Sequence, residues 1–403
     1  MASTSTETIE GSGFPLAFKA KRGKARPGVV AAGQGRDVFK VEARQLAGHQ
    51  KEAIVTEGEA GSAWRVTSDE GKHLKGADVA PFPLGVFNAG LHADLINRLL
   101  AGARERELPL SSLEIDLKNG YSMTGAFFRG DGKGYAEPAA IKVKIASTAE
   151  PSQIARLVRD AVSASPALAA MRLPLENTFA LYVNGRRRTV TTMKNSDAPD
   201  AADPFRTYSK PPQPIAGTDD LPDLIRKTGQ QMAGTAAIAP AGAQAGGRIV
   251  REVSGVSRLL DPAGVTETDT WLEMPGMSHF ALKTDERATG DQAPSGLALL
   301  SAGIAFCYMT QLSRYIEHMK FKIRAVRLVQ YSPYAVTGSA KDASWRGGVE
   351  PVDTHLFLNG EESDETHERL MNIAATTCYL HATLVSQLAP VVSVELSGSP
   401  LAV

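Results

Sequence analysis

Apolar positions recur at three- and four-residue spacing from residue 83 to about 107, which predicts a long helix with Pro83 in its first turn. A second, longer apolar run, from 294 to about 320, predicts another. Shorter helical patterns cover 152–163, with Ile154, Leu157, Val158 and Val162 on one face, and 365–377, which leads into Cys378. Strand signals fall around these helices. Short runs at 38–46, 52–57 and 63–67 precede the first helix, and 113–118, 141–145 and 178–183 follow it. The pattern then returns, with 248–256, 270–273 and 279–283 before the second long helix and 323–330, 354–358 and 391–396 after it.

The repeated order of elements predicts a duplicated fold. Phe87-Asn88-Ala89-Gly90-Leu91 lines up without a gap on Leu300-Ser301-Ala302-Gly303-Ile304. The same register sets Asp94 opposite Cys307, and later Ser165 opposite Cys378. Residues 36–187 and 248–403 are therefore expected to form two related domains, the second with both cysteines and the first with neither. Residues 1–35 read as a flexible basic tail, with Lys19, Lys21, Arg22, Lys24 and Arg26 among Gly and Pro. Residues 188–247, rich in Pro, Ala and Gly, read as a linker with one short helix at 221–232.

Composition bounds the function. The chain has 403 residues, 43% hydrophobic and 22% charged, with a formal net charge of zero. That balance gives no reason to expect nucleic acid or an acidic membrane as the main partner. The first 13 residues have no apolar segment of the secretory type, and two cysteines in so long a chain do not make a disulfide scaffold. A reducing cytoplasm is the expected location. Residues 292–313 contain no charge and are long enough to span a bilayer. Gln292, Pro294, Ser295, Ser301, Thr310 and Gln311 within that run favour a helix buried in protein, with no membrane.

Cys307 and Cys378 are the chemical candidates, since two thiols on facing helices could form a redox pair, although a lone buried cysteine is more often a small hydrophobe. His381 follows Cys378 by three positions, one helical turn, and could act as a base or lower a thiol pKa. No Cys-x-x-Cys pair supports a metal, and no phosphate loop, dinucleotide fingerprint or Gly-x-Ser-x-Gly elbow supports a cofactor or a serine nucleophile. His92 and Asp94 lie two apart on a helix expected to be buried, so they point in different directions and Asp94 needs a partner such as Arg98. A structural ion pair and a remodelled site are the two readings of that pair.

The run from Pro294 to Cys307 resembles the central helix of the OsmC/Ohr family of osmotically inducible and organic-hydroperoxide-resistance proteins. The strand entry Lys320-Phe321-Lys322-Ile323 and the segment Cys378-Tyr379-Leu380-His381-Ala382-Thr383-Leu384 also resemble that family. The resemblance covers most of 248–403 and extends in degenerate form over about 36–185. It implies an α+β fold, each OsmC-like domain a curved antiparallel sheet around two central helices, the two domains closing into a pseudo-dimer within one chain. It implies Cys307 as the peroxidatic and Cys378 as the resolving cysteine. Active hydroperoxide reductases of the family carry a glutamate on the turn before the central helix and an arginine from an early segment. Here that turn reads Gln292-Ala293-Pro294-Ser295-Gly296, with Glu286 and Arg287 as candidate site neighbours.

Three functions follow as expectations. The first is a thiol-dependent peroxidase for organic hydroperoxides, regenerated by an external dithiol and needing no cofactor or metal. The second is a hydrolase of a small activated carbonyl substrate with Cys307 as nucleophile. The third is a non-catalytic binder of a small hydrophobic ligand. Each takes a small hydrophobic molecule, and each is compatible with a homo-oligomer.

Overall fold

The computed structural model describes residues 6–31, 33–217, 220–237 and 249–403. In chain order the elements begin with β1 (Ala17–Lys21), α1 (Gly28–Ala31), β2 (Gly35–Gln45), β3 (Lys51–Thr56), β4 (Ala63–Ser68) and α2 (Pro83–Glu105). They continue with β5 (Ser112–Thr124), β6 (Lys133–Ala136), β7 (Ala140–Ala146), α3 (Pro151–Ala164), α4 (Pro166–Arg172), β8 (Thr178–Val183) and β9 (Arg186–Arg188). After α5 (Phe205–Tyr208) the second half runs β10 (Ile225–Gln231), β11 (Ile249–Asp261), β12 (Val265–Leu272), β13 (Ser278–Asp285) and α6 (Gly296–Met319). It closes with β14 (Ile323–Thr337), β15 (Arg346–Val349), β16 (Asp353–Gly360), α7 (Asp364–Thr377), α8 (Tyr379–Leu384), β17 (Val391–Leu396) and β18 (Ser399–Leu401).

The predicted helices and strands form because their patterns match the local geometry. α2 starts at Pro83, where the missing N–H is no loss. α6 starts after Ser295, whose hydroxyl accepts from Ala298 N at 3.3 Å. β2 buries Phe39, Val41 and Ala43 on one face. α6 is apolar enough to cross a membrane by composition, yet all of that span lies inside the protein.

Strands from both halves share each sheet. One nine-stranded sheet runs β1-β4-β3-β2-β14-β16-β8-β9, with β15 on β14. The other runs β10-β13-β12-β11-β5-β7-β17-β18, with β6 on β5. The second order is the first with the halves exchanged. β2 pairs antiparallel with β14, and β11 with β5, so neither half keeps a sheet to itself. α6 lies against β2, β3 and β14, and α2 against β11, β12 and β5.

The two long helices meet at the centre, where glycine lets their backbones approach. A Cβ on Gly90 would fall 2.6 Å from Leu300 N, and one on Gly303 2.7 Å from Phe87 N. Leu300 and Phe87 are the residues that the repeat aligns with each other, so the two contacts mirror one another.

Two expectations need correcting. The basic segment within 1–35 is built into the fold: β1 is an edge strand on β4, Lys19 is buried between Asp220 (2.8 Å) and Asp291 (3.2 Å), and Arg26 pairs with Glu57 at 2.9 Å. These carboxylates come from distant segments and were not visible as partners in sequence. The segment 221–232 is the edge strand β10 on β13, because pairing there satisfies its backbone donors and Gly229 takes a left-handed φ of 84°. The preceding stretch docks through Tyr208, whose hydroxyl donates to Glu42 O at 2.7 Å. Most of the Ala/Gly/Pro run up to 247 lies outside the described residues.

Gly303→Ala is expected to destabilise the protein by roughly 1–3 kcal/mol through overpacking, although alanine gains up to about 1 kcal/mol of helix propensity. Urea midpoints of the two proteins check this; an unchanged or raised midpoint contradicts the crossing described here.

Candidate active site

Cys307, Thr310, Gln311 and Arg314 share one face of α6, since they follow at three- and four-residue steps. That face forms one wall of a cavity of about 60 Å³, room for several waters or the end of a small molecule. Glu70, His73, Phe82 and Leu84 reach it from the stretch between β4 and the start of α2. Arg251 comes from β11, Met123 from β5, Leu272 from β12 and Tyr379 from α8. The wall is thus apolar on one side and cationic on another, and both halves of the chain build it.

Cys378 caps α8. Its sulfur accepts from His381 N at 3.5 Å and has no exposure to solvent. Burial pushes this thiol well above its usual pKa, and the hydrogen bond and charge of the adjacent Cys307 add to the effect. The two thiols therefore lie side by side, both free. Only Cys307, 3% exposed, faces the cavity.

The charges around Cys307 form a network. Burial raises the Glu70 carboxyl, while Lys51 and a hydrogen bond from Thr310 Oγ1 (2.6 Å) pull it down. Burial lowers Arg314, while Glu70 and then Tyr379 work to keep it charged. His73 is pushed down to about 3 by burial and by Arg251 and Arg314, so it is neutral. Cys307 lies within electrostatic reach of Arg314 and the buried Lys51. In thiol chemistry the thiolate is the nucleophile.

The other candidates divide. His381 reaches Cys378 through its backbone alone. Its ring packs against Tyr308 (5.0 Å) and Phe179 (5.6 Å), both ring nitrogens lack a hydrogen-bond partner among the described residues, and burial lowers it to about 4. His92 is fully buried beneath Gly255, away from both thiols, and is lowered to about 3 by burial. Neither ring is placed as a base for Cys307. Arg287 pairs with Asp285 (2.8 Å) and Asp261 (3.3 Å), outside the cavity.

Asp94 and Ser165 repeat the geometry of the thiols in polar form. Ser165 caps α4 as Cys378 caps α8, and its hydroxyl donates to Asp94 Oδ2 at 2.5 Å. Asp94 also accepts from Ala167 N and pairs with Arg98 at 3.3 Å, the structural ion pair that the sequence suggested. Glu286 belongs to this second cluster. It accepts from Gly296 N (2.6 Å) and Asn97 Nδ2 (3.2 Å). Glu286 follows β13 as Glu70 follows β4, so the exchange of halves sends each glutamate to the opposite centre.

Glu70, Arg251 and Arg314 are site residues that sequence reasoning missed. Arg314 could have been found at seven residues after Cys307, two turns along the same helix. Glu70 and Arg251 are set beside Cys307 by the interleaving of strands, for which the sequence has no local signal.

Residues 289–394 match the family model described as OsmC-like protein. The chain is also similar to the crystal structure of an OsmC-like hydroperoxide resistance protein from Jannaschia sp. CCS1, at 23% identity over 33% of this chain and 86% of that one, with a TM-score of 0.22. No curated protein matches the chain.

Burial raises Glu286 from the usual 4.5 to about 7, against the opposing pull of Arg26 and the bond from Gly296. The folded state thus holds its proton to higher pH than the unfolded chain. The stability that this group gives is complete below about pH 4.5 and declines as pH rises through 7. Urea midpoints of wild type and Glu286→Gln at pH 5 and pH 8.5 test this. The glutamine variant should gain on the wild type between the two, by up to about 3 kcal/mol at ~1.4 kcal/mol per pKa unit. A constant difference refutes the assignment.

Proposed function

We propose that this protein reduces organic hydroperoxides with Cys307 and Cys378 as a dithiol pair. The observation that carries the reading is the adjacency of the two thiols, one facing a half-apolar cavity beside cations and the other buried behind it. The OsmC-like match over 289–394 agrees with it, and both cysteines fall within that range.

In this reading Cys307 binds no cofactor and acts as a thiolate. It attacks one peroxide oxygen, the O–O bond breaks, the sulfur becomes a sulfenic acid, and the alkoxide takes a proton to leave as an alcohol. Glu70, raised by burial, lines the same cavity and can supply that proton. Arg251 and Arg314 hold the negative charge in place. Phe82, Leu84, Met123 and Leu272 accept the organic group. The Cys378 thiol then attacks the sulfenic sulfur, water leaves and a Cys307–Cys378 disulfide forms. An external dithiol returns both thiols, in a reducing cytoplasm.

We read the duplicated order of elements as two OsmC-like units fused into a pseudo-dimer. The exchanged strand orders of the two sheets support this. The centre at Asp94 and Ser165 is then a former thiol site, now closed by hydrogen bonds. Within this reading Glu70 and Arg251 take the acid and arginine roles, in place of Glu286 and Arg287.

The test follows thiol loss after mixing with cumene hydroperoxide. Cys307→Ser should abolish peroxide consumption. Cys378→Ser should complete one turnover and stop with a dimedone-reactive sulfenic acid on Cys307. Arg251→Met should slow the first step by roughly 100- to 1,000-fold, the usual effect of losing one charge-stabilising donor. Undiminished peroxide consumption by Cys307→Ser overturns the proposal.

A further inference from the structure

Lys51 is a fully enclosed cation that reaches neither solvent nor the wall of the Cys307 cavity. It shares one face of β3 with Ala53 and Val55, the face that lies against α6. Glu52 points the other way, where Arg44 (2.7 Å) and Arg65 (2.6 Å) hold it. The ammonium therefore has to find its partners inside. It donates to His49 O at 2.6 Å, which fixes its place, and stands 3.9 Å from Glu70 Oε1. Thr310 Oγ1 donates to that same oxygen at 2.6 Å. Glu70 lines the cavity and Lys51 sits behind it.

Few other charges bear on this pair. Asp69 is a second carboxylate within reach of Lys51, and its Oδ2 accepts from Val79 N at 3.3 Å, away from the cavity. His49 is pushed down to about 3 by burial and then by Lys51, so it stays neutral. α6 contributes Arg314 and Cys307, β11 contributes Arg251, and the stretch after β4 contributes the neutral His73. Burial lowers the Lys51 ammonium and raises the Glu70 carboxyl, and each is the largest influence opposing burial on the other. Either charge without the other would be an uncompensated buried ion.

Proton donation from such a carboxyl has one main cost. The acid leaves a carboxylate behind in a water-poor pocket, and the stability of that carboxylate decides how readily the proton moves. A cation fixed behind the acid meets that cost without occupying the space that a peroxide needs.

We infer that Lys51 is a positioning residue for the peroxide step, the buried counter-charge that lets Glu70 pass its proton to the leaving alkoxide and persist as a carboxylate. This rests on the peroxidase reading above. The O–H bond of Glu70 breaks, the alkoxide gains that proton and leaves as an alcohol, and Glu70 recovers a proton from water that enters the cavity. Lys51 keeps its own three protons throughout and contacts neither peroxide nor sulfur.

The Glu70 carboxyl is followed by infrared difference spectroscopy of the reduced protein across pH, its band being the one that Glu70→Gln lacks. In Lys51→Met, which keeps an unbranched side chain and removes the charge, the midpoint for loss of that band should rise by roughly one pH unit or more, the usual effect of removing an opposite charge at this range. The rate of Cys307 oxidation by cumene hydroperoxide should follow. Its decline at high pH moves up with the infrared midpoint in Lys51→Met and is absent from Glu70→Gln. Either quantity staying at the wild-type pH in Lys51→Met overturns the inference. Should that variant not fold, the reciprocal measurement decides. Coupling acts equally on both partners, so Glu70→Gln should bring loss of the Lys51 ammonium, read from its Nζ resonance, to lower pH than in wild type. An unmoved resonance refutes the pairing. Wild-type protein that leaves peroxide untouched strikes instead at the peroxidase reading, and the infrared midpoint still decides whether Lys51 and Glu70 are coupled.

Discussion

The close crossing of α2 and α6 is the constraint on which the rest of the structure depends. Gly90 against Leu300 and Gly303 against Phe87 bring two backbones together so tightly that no side chain fits between them. Both helices are therefore buried almost along their whole length, so a polar group on them either finds a partner inside or, like the His92 ring, stays neutral. The sheets wrap this pair by exchanging strands, because each helix needs cover on faces that its own half cannot reach.

That burial gives the two centres their opposite characters. One helix turn beyond the crossing, α6 carries Cys307 and α2 carries Asp94, and the cap of the following short helix supplies Cys378 or Ser165. With sulfur, the centre leaves a cavity that Glu70, Arg251 and Arg314 line together with Cys307. With oxygen, the centre closes on itself: Ser165 and Arg98 bond Asp94, and Glu286 is taken up by Gly296 and Asn97. Similar backbone geometry thus leaves a cavity in one place and a hydrogen-bonded cluster in the other.

The same burial explains the histidines. His92 and His381 both sit where an imidazolium would lose its hydration without gaining a counter-charge, so both stay neutral. His92 is enclosed by Asn88 and Gly255, and its neutrality is a matter of packing. His381 lines an open groove, but its ring nitrogens are shielded from solvent between Tyr308 and Phe179.

Much of the architecture was legible in the chain. The periodicity located α2 and α6 and most strands, and the gapless match aligned Gly90 with Gly303, whose role at the crossing only the fold shows. The two cysteines and their degenerate counterparts could be paired by the same register, and Arg98 could be named as the partner of Asp94 because they lie one turn apart. Local signals sufficed wherever the partner was a near neighbour along a helix. They failed where partners came from across the molecule: Lys19 and Arg26 looked like a solvated tail, and 221–232 looked helical, until Asp220, Asp291, Glu57 and β13 were placed beside them. Glu70 and Arg251 reach Cys307 for the same reason. The sequence by itself determined the two long helices and the register that sets Cys307 against Asp94 and Cys378 against Ser165; only the interleaving of the two halves decided which charges surround the Cys307 thiol, since a long-range pairing of strands leaves no periodic trace in the segments that it joins.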